Sequence, residues 1–238
     1  MSGPLAQHES PGETEAKCGI SVNLHDRWLV VSFANPVRAC SWAIVGGGLV
    51  DAEYVAWLEV SNDELRPPVD ATELLRERLA ERKLQNAVGL LTSCRLSGYR
   101  DVCLASADLR VRCIATVGLS NALRAGDPAG VAERIGTINI LLHVDAPLAD
   151  VALVEACAIV TEAKTAAVLE AGILSRRSHR PATGTGTDCT VVAGILPHAQ
   201  SRSVSYAGKH TELGSLIGTA VMRAVGEGVS AWLLKHRA

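Results

Sequence analysis

Three threonines alternate with two glycines in Pro181-Ala-Thr-Gly-Thr-Gly-Thr-Asp188 and run into a carboxylate, with an apolar stretch behind it. Glycine lets backbone approach a ligand closely, threonine adds hydroxyls, and Asp188 adds an acid. Such a segment is a poor helix former and a poor strand former, so packing alone does not account for it. It reads as a binding or catalytic loop.

Four further clusters carry polar chemistry. Thr161-Glu-Ala-Lys-Thr165 falls inside a long helical pattern, where Glu162 and Lys164 point to different sides and form no simple ion pair along the helix. Tyr206-Ala-Gly-Lys-His-Thr-Glu-Leu-Gly214 sets Lys209 and His210 at a helix entrance. There His210 is either a general acid or base near neutral pH, or a surface residue beside a capping Thr211. Thr116-Val-Gly-Leu-Ser-Asn121 ends a strand in groups that turn the chain or donate to a ligand, and Asn139 sits within the apolar run Ile138-Asn-Ile-Leu-Leu142. Gly46-Gly47-Gly48 follows an apolar run but lacks the spacing of a dinucleotide or P-loop motif. It is either a tight bend or a place of close approach to a bulky ligand. His143 and Asp145 would share a strand face, a weak metal-site signal.

Composition bounds what these residues serve. The chain has 238 residues, 48% hydrophobic but only 3% aromatic, so its core is built from Ala, Val, Leu and Ile. A net charge of −2 leaves no basic field for nucleic acid, and no basic amphipathic helix suggests a membrane surface. Seven cysteines, none spaced as C-x-x-C, read as free thiols of a reducing compartment. Residues 1–18 read as a disordered polar tail, and no apolar stretch approaches the ~20 residues of a membrane span. A soluble, cytoplasmic protein is expected, with residues 19–238 as one domain.

The elements that must position the clusters follow from periodicity. Strands are expected over 28–33, 41–45, 51–60, 87–93, 102–106, 111–117, 138–144 and 189–196. Turns at Gly98 and Asp108 favour antiparallel neighbours. Asp70 or Thr72 caps a helix to about Lys83. A long helix over 149–171 ends at Gly172, its first half apolar on nearly every side, as for burial between layers. A closing helix covers 211–235. The fold class is α+β, a layered domain with a mixed, largely antiparallel sheet packed by a few long helices.

Read in order, Ser41-Trp-Ala-Ile-Val-Gly-Gly-Gly48, Val88-Gly-Leu-Leu-Thr92, Ala115-Thr-Val-Gly-Leu-Ser-Asn121, Thr137-Ile-Asn-Ile140, Thr161-Glu-Ala-Lys-Thr165, Ala182-Thr-Gly-Thr-Gly-Thr-Asp188 and Tyr206-Ala-Gly-Lys-His-Thr211 resemble the adenosylcobinamide amidohydrolase family of corrinoid-salvage enzymes. Cys40 stands where a second serine is expected beside Ser41. The resemblance covers nearly everything except the N-terminal tail. It implies hydrolysis of the amide between a corrin side chain and aminopropanol in adenosylcobinamide, giving adenosylcobyric acid and 1-aminopropan-2-ol. The cobalt arrives with the substrate, so no cofactor and no protein-held metal is implied.

Amide hydrolysis needs an activated water or nucleophile, donors for an oxyanion, and a proton for the leaving amine. Asp188 or Glu162 is the candidate base, and His210 or Lys164 the candidate acid. The backbone N–H groups of Gly184 to Thr187 are candidate oxyanion donors. Thr187, Thr183 or Thr185 is the rival covalent nucleophile. The corrin wall is expected from Ser41, Gly46, Gly47, Gly48, Thr116, Ser120, Asn121, Asn139, Thr183, Gly184, Thr185, Gly186 and Lys209, with aliphatic packing rather than aromatic stacking. Two alternatives stand beside this reading: a non-catalytic corrinoid-binding module, and an amidohydrolase of some unrelated amide. A homodimer burying one apolar helix face is a further expectation, carried by no particular residue.

Overall fold

The computed structural model describes residues 19–130, 135–198 and 201–236, so the polar tail expected over 1–18 lies outside the described residues. Strands β1 (Ile20–His25), β2 (Trp28–Ser41) and β3 (Gly48–Glu59) are followed by helix α1 (Ala71–Glu81) and strands β4 (Ala87–Thr92), β5 (Arg100–Ala105), β6 (Arg110–Val117), β7 (Ala122–Leu123) and β8 (Ile138–Pro147). Helix α2 (Asp150–Glu170), strands β9 (Gly184–Thr185) and β10 (Cys189–Ile195), and helix α3 (Glu212–His236) complete the chain. The main sheet runs β4-β3-β2-β10-β8-β6-β5, with β1 also paired to β2, and β7 pairs with β9 in a separate ribbon. Only β3–β4 and β8–β10 are parallel. The sheet is therefore mixed and largely antiparallel, as the pattern of short strands and long helices requires.

Chain reach shows that this sheet curls. β4 and β5 lie at opposite ends of the order, six inter-strand spacings apart, roughly 29 Å if flat. The connection from Thr92 to Arg100 extends to at most about 28 Å, and the 3₁₀ turn Leu96–Gly98 shortens it. The ends must approach one another. The curl is seen where Asn139 Nδ2 of β8 donates to Leu91 O of β4 at 2.7 Å, across three intervening strands.

Alternation along the strands divides the core. Leu29, Val31, Val55, Trp57, Leu90, Ile114, Leu141 and Val191 fill the inside of the curl. Ile138, Ile140, Leu142 and Val144 face outward into α2 and α3, which pack side by side. Helix α1 covers the outer side of β3 and β4 through Leu75 and Leu79. Its N-cap is Asp70, accepting from Thr72 N and Glu73 N at 2.7 and 3.0 Å.

Three local expectations are corrected. Residues 42–47 form no strand; an isolated bridge from Val45 to Gly89 is all they contribute to pairing. Gly98 does not make its flanking strands neighbours, because β4 and β5 stand at opposite ends of the sheet order; Asp108 does sit between the antiparallel β5 and β6. The first half of α2 is not buried on all sides. Val151 and Val154 face solvent, since β10, β2 and α3 cover only one side of the helix.

Candidate active site

Lys164 lies on the buried face of α2, and its Nζ donates to Asp188 Oδ2 at 2.6 Å. Asp188 is the residue before β10, and its carboxylate is fully engaged. Oδ2 also accepts from Thr185 N at 3.0 Å, while Oδ1 accepts from Thr185 Oγ1 at 2.5 Å and Ile138 N at 3.1 Å. Both charged side chains are about nine-tenths buried, at 11% and 12% exposure. A buried pair persists only where hydrogen bonds offset its desolvation, and this one has them. The glycines make room for it: a Cβ on Gly184 would overlap the Asp188 carboxylate and the Lys164 ammonium. A Cβ on Gly186 would press to 2.8 Å from Asn121 Nδ2.

A cavity of about 530 Å³ opens beside this pair where the curl brings β4 against the starts of β8 and β10. Trp42, Ile44, Leu65, Leu90 and Leu91 give it an apolar side; Thr137, Asn139, Thr187 and Asp188 give it a polar end. Trp42 and Ile44 are half-exposed at the rim, and Trp42 is held by its Nε1 donating to Asp188 O at 2.7 Å. Thr137 Oγ1 lies 2.8 Å from Thr187 O and 3.1 Å from Asn139 Oδ1. Asn139 Nδ2 carries two protons, and Leu91 O takes one. Cys189 also lines the cavity, but burial pushes its thiol up to about 11, so it is a protonated, weak nucleophile near neutral pH.

The other sequence candidates distribute unevenly. Asn139, Gly186, Thr187 and Asp188 line the cavity; Lys164, Gly184 and Thr185 stand directly behind it. Thr183 is tied into the scaffold, its hydroxyl accepting from Ala125 N at 2.9 Å. The loop amides expected to hold an oxyanion are turned inward: Thr185 N to Asp188, Gly186 N to Asn121 O at 3.3 Å, Thr187 N to Thr185 Oγ1 at 3.4 Å. Ser41 spends its hydroxyl on Thr190 O and Ala43 N, fastening the end of β2. Gly46 and Gly47 are a tight bend, since a Cβ at Gly46 would meet Ala87 O at 2.7 Å and one at Gly47 would overlap Ala43 O. They and Gly48 stand outside the cavity lining.

Glu162 pairs with Lys209 at 2.6 Å on the exposed side of α2, and neighbouring His210 is exposed with no hydrogen bond to Lys164 or Asp188. Thr211 caps α3, accepting from Gly214 N at 2.9 Å. Thr116 and Ser120 face a different pocket. His143 is buried and held neutral, its pKa lowered to about 4 by desolvation. Among the described residues no three His, Cys, Asp or Glu side chains gather as metal ligands.

Trp42, Ile44 and Thr137 also line the cavity, although their residue types alone do not mark them. All three sit inside sequence pieces already singled out, beside Ser41, Gly46 and Asn139. A tryptophan next to Ser41 in a chain only 3% aromatic is the signal the sequence offers.

An open cleft, apolar along one side and polar at one end, has the shape and chemistry that small-molecule sites commonly have. The profile of the adenosylcobinamide amidohydrolase family matches residues 13–236, and the chain belongs to that family. A relative from Methanosarcina mazei named adenosylcobinamide amidohydrolase is 30% identical over 192 residues, 78% of this chain and 86% of its own. An uncharacterised protein of Methanocaldococcus jannaschii is 44% identical over 94 residues, 39% of this chain and 35% of its own. The chain thus matches about a third of that relative's length. A crystal structure of a Pyrococcus horikoshii protein aligns over 91% of this chain and 83% of its own at 13% identity and TM-score 0.44, too distant to bear on function. No helix among the described residues is long and apolar enough to cross a membrane.

Proposed function

We propose that this protein hydrolyses the amide joining the corrin side chain to aminopropanol in adenosylcobinamide, yielding adenosylcobyric acid and 1-aminopropan-2-ol for corrinoid salvage in the cytoplasm. The observation that carries this reading is the one-ended polarity of the cavity beside Lys164–Asp188. A corrin is too large to enter about 530 Å³ whole, so the ring rests on the rim at Trp42 and Ile44 while its amide-bearing arm reaches Thr187 and Asp188. Aromatic stacking on Trp42 thereby replaces the purely aliphatic wall expected from composition.

Asp188 is the general base. Of its four donors, two are backbone amides and one is the Lys164 ammonium; the Thr185 hydroxyl is the one that can rotate away and free Oδ1 for a water. That water gives its proton to Asp188 and attacks the carbonyl, whose developing oxyanion accepts a hydrogen bond from the second Asn139 Nδ2–H. Asp188 then returns the proton to the amide nitrogen, the C–N bond breaks, and the amine leaves. Lys164 is a positioning residue that keeps the carboxylate in place. No cofactor enters this scheme; the cobalt belongs to the substrate. A homodimer in this proposal would bury the exposed Val151 and Val154 of α2.

The test is mass spectrometry of the protein incubated anaerobically in the dark with adenosylcobinamide. Both products should accumulate together in equal amounts. A corrin spectral shift without product would support the binding module instead, and neither signal would point to an unrelated amide.

A further inference from the structure

A second pocket, of about 250 Å³, lies at the ends of β5 and β6 against the last turns of α3 and shares no lining residue with the cavity. It collects cations and hydroxyls: Arg95, Arg100, Lys235, Thr116 and Ser120 line it, and no Asp or Glu does. Two buried polar atoms there lack any hydrogen-bond partner among the described residues, Arg100 Nε and Thr116 Oγ1, and Thr116 is only 1% exposed. Such groups cost stability unless something binds them. Glu59 draws Arg95 aside at 3.8 Å, and His236 stacks on Trp232. Lys235, in the last turn of α3, offsets the negative end of that helix, which leaves Arg100 as the lining cation with no ion pair among the described residues.

We propose that this pocket binds a compact oxyanion of the phosphate type, taken by the planar guanidinium fork of Arg100, with Lys235 as a point charge and Thr116 and Ser120 as hydroxyl donors. Its volume excludes a corrin but accepts inorganic phosphate or a small phosphate monoester. The site is independent of the proposed amide chemistry.

Isothermal titration in chloride buffer, with inorganic phosphate and separately with glycerol 1-phosphate, tests this. Saturable binding is expected, weakened at least tenfold in Arg100→Gln and several-fold in the near-isosteric Thr116→Val. It should be unchanged in Arg66→Gln, an exposed arginine paired with Asp63. Tighter binding of the monoester would identify an organic phosphate as the ligand, and equal binding inorganic phosphate. Absence of saturable heat with either probe overturns the proposal, as does wild-type affinity in Thr116→Val together with Arg100→Gln. If Arg100→Gln does not fold, Thr116→Val alone decides.

Discussion

Lys164–Asp188 and Lys209–Glu162 are both salt bridges of 2.6 Å, and each joins α2 to a later loop. Lys164 and Glu162 are only two positions apart, but a helix turns about 200° between such positions, so one faces the protein and the other faces water. The first pair is 11% and 12% exposed and the second 70% and 57%. In water the second gains little and is screened by salt. In the interior the first depends on the Thr185 and Ile138 donors that surround it. Distance alone therefore says nothing of which pair matters; burial and the remaining partners do.

The comparison can be broken most severely at Asp188. Asp188→Asn should lower turnover of adenosylcobinamide by about 10²-fold or more, and leave Lys164 buried without a counter-charge at a cost of about 3 kcal/mol in denaturant unfolding. Adding Lys164→Met should recover stability but not turnover; recovery of both would show that the pair only holds the fold. A smaller effect is expected from Gly184→Ala, whose methyl group forces the pair apart. A loss of about 1–3 kcal/mol is anticipated, with turnover falling in parallel; an unchanged melting curve would mean that the loop yields freely.

A control on burial without pairing comes from His143. Its folded pKa of about 4 lies below the ordinary 6.5, so the unfolded chain takes up the proton first as pH falls. The stability it contributes is complete above about pH 6.5 and drains away between there and pH 4, by up to about 3 kcal/mol. His143→Leu should flatten that part of the stability–pH profile; a profile identical to wild type would place the acid sensitivity elsewhere. The smallest effect belongs to the exposed pair, where Lys209→Ala should change stability by about 0.5 kcal/mol or less. Its turnover should stay within about twofold of wild type.

Local patterns made much of this legible. Asp70 as one of two candidate caps, the limits of β6 and β10, the start of β8, and the Gly172 stop of α2 follow from neighbours in sequence. Curling of the sheet does not, because nothing local to Thr92 or Asn139 says that β8 reaches back to β4 across three intervening strands. The Thr-Gly-Thr-Gly-Thr-Asp loop was visible as chemistry, but its polarity was not: whether its amides face a ligand or the protein depends on Asn121, Ile138 and Lys164, all distant in sequence. Likewise Glu162 and Lys164 were separable by helical spacing, whereas the partners of each came from loops that only the fold brings near.

Initial rates of 1-aminopropan-2-ol release from adenosylcobinamide, measured side by side for wild type, Asp188→Asn and the double variant Lys209→Ala/His210→Ala, test the central claim most directly. The account predicts near-wild-type release from the surface double variant and almost none from Asp188→Asn. Loss of activity in the surface variant, with Asp188→Asn still turning over, would move the chemistry to the exposed face of α2 and contradict it.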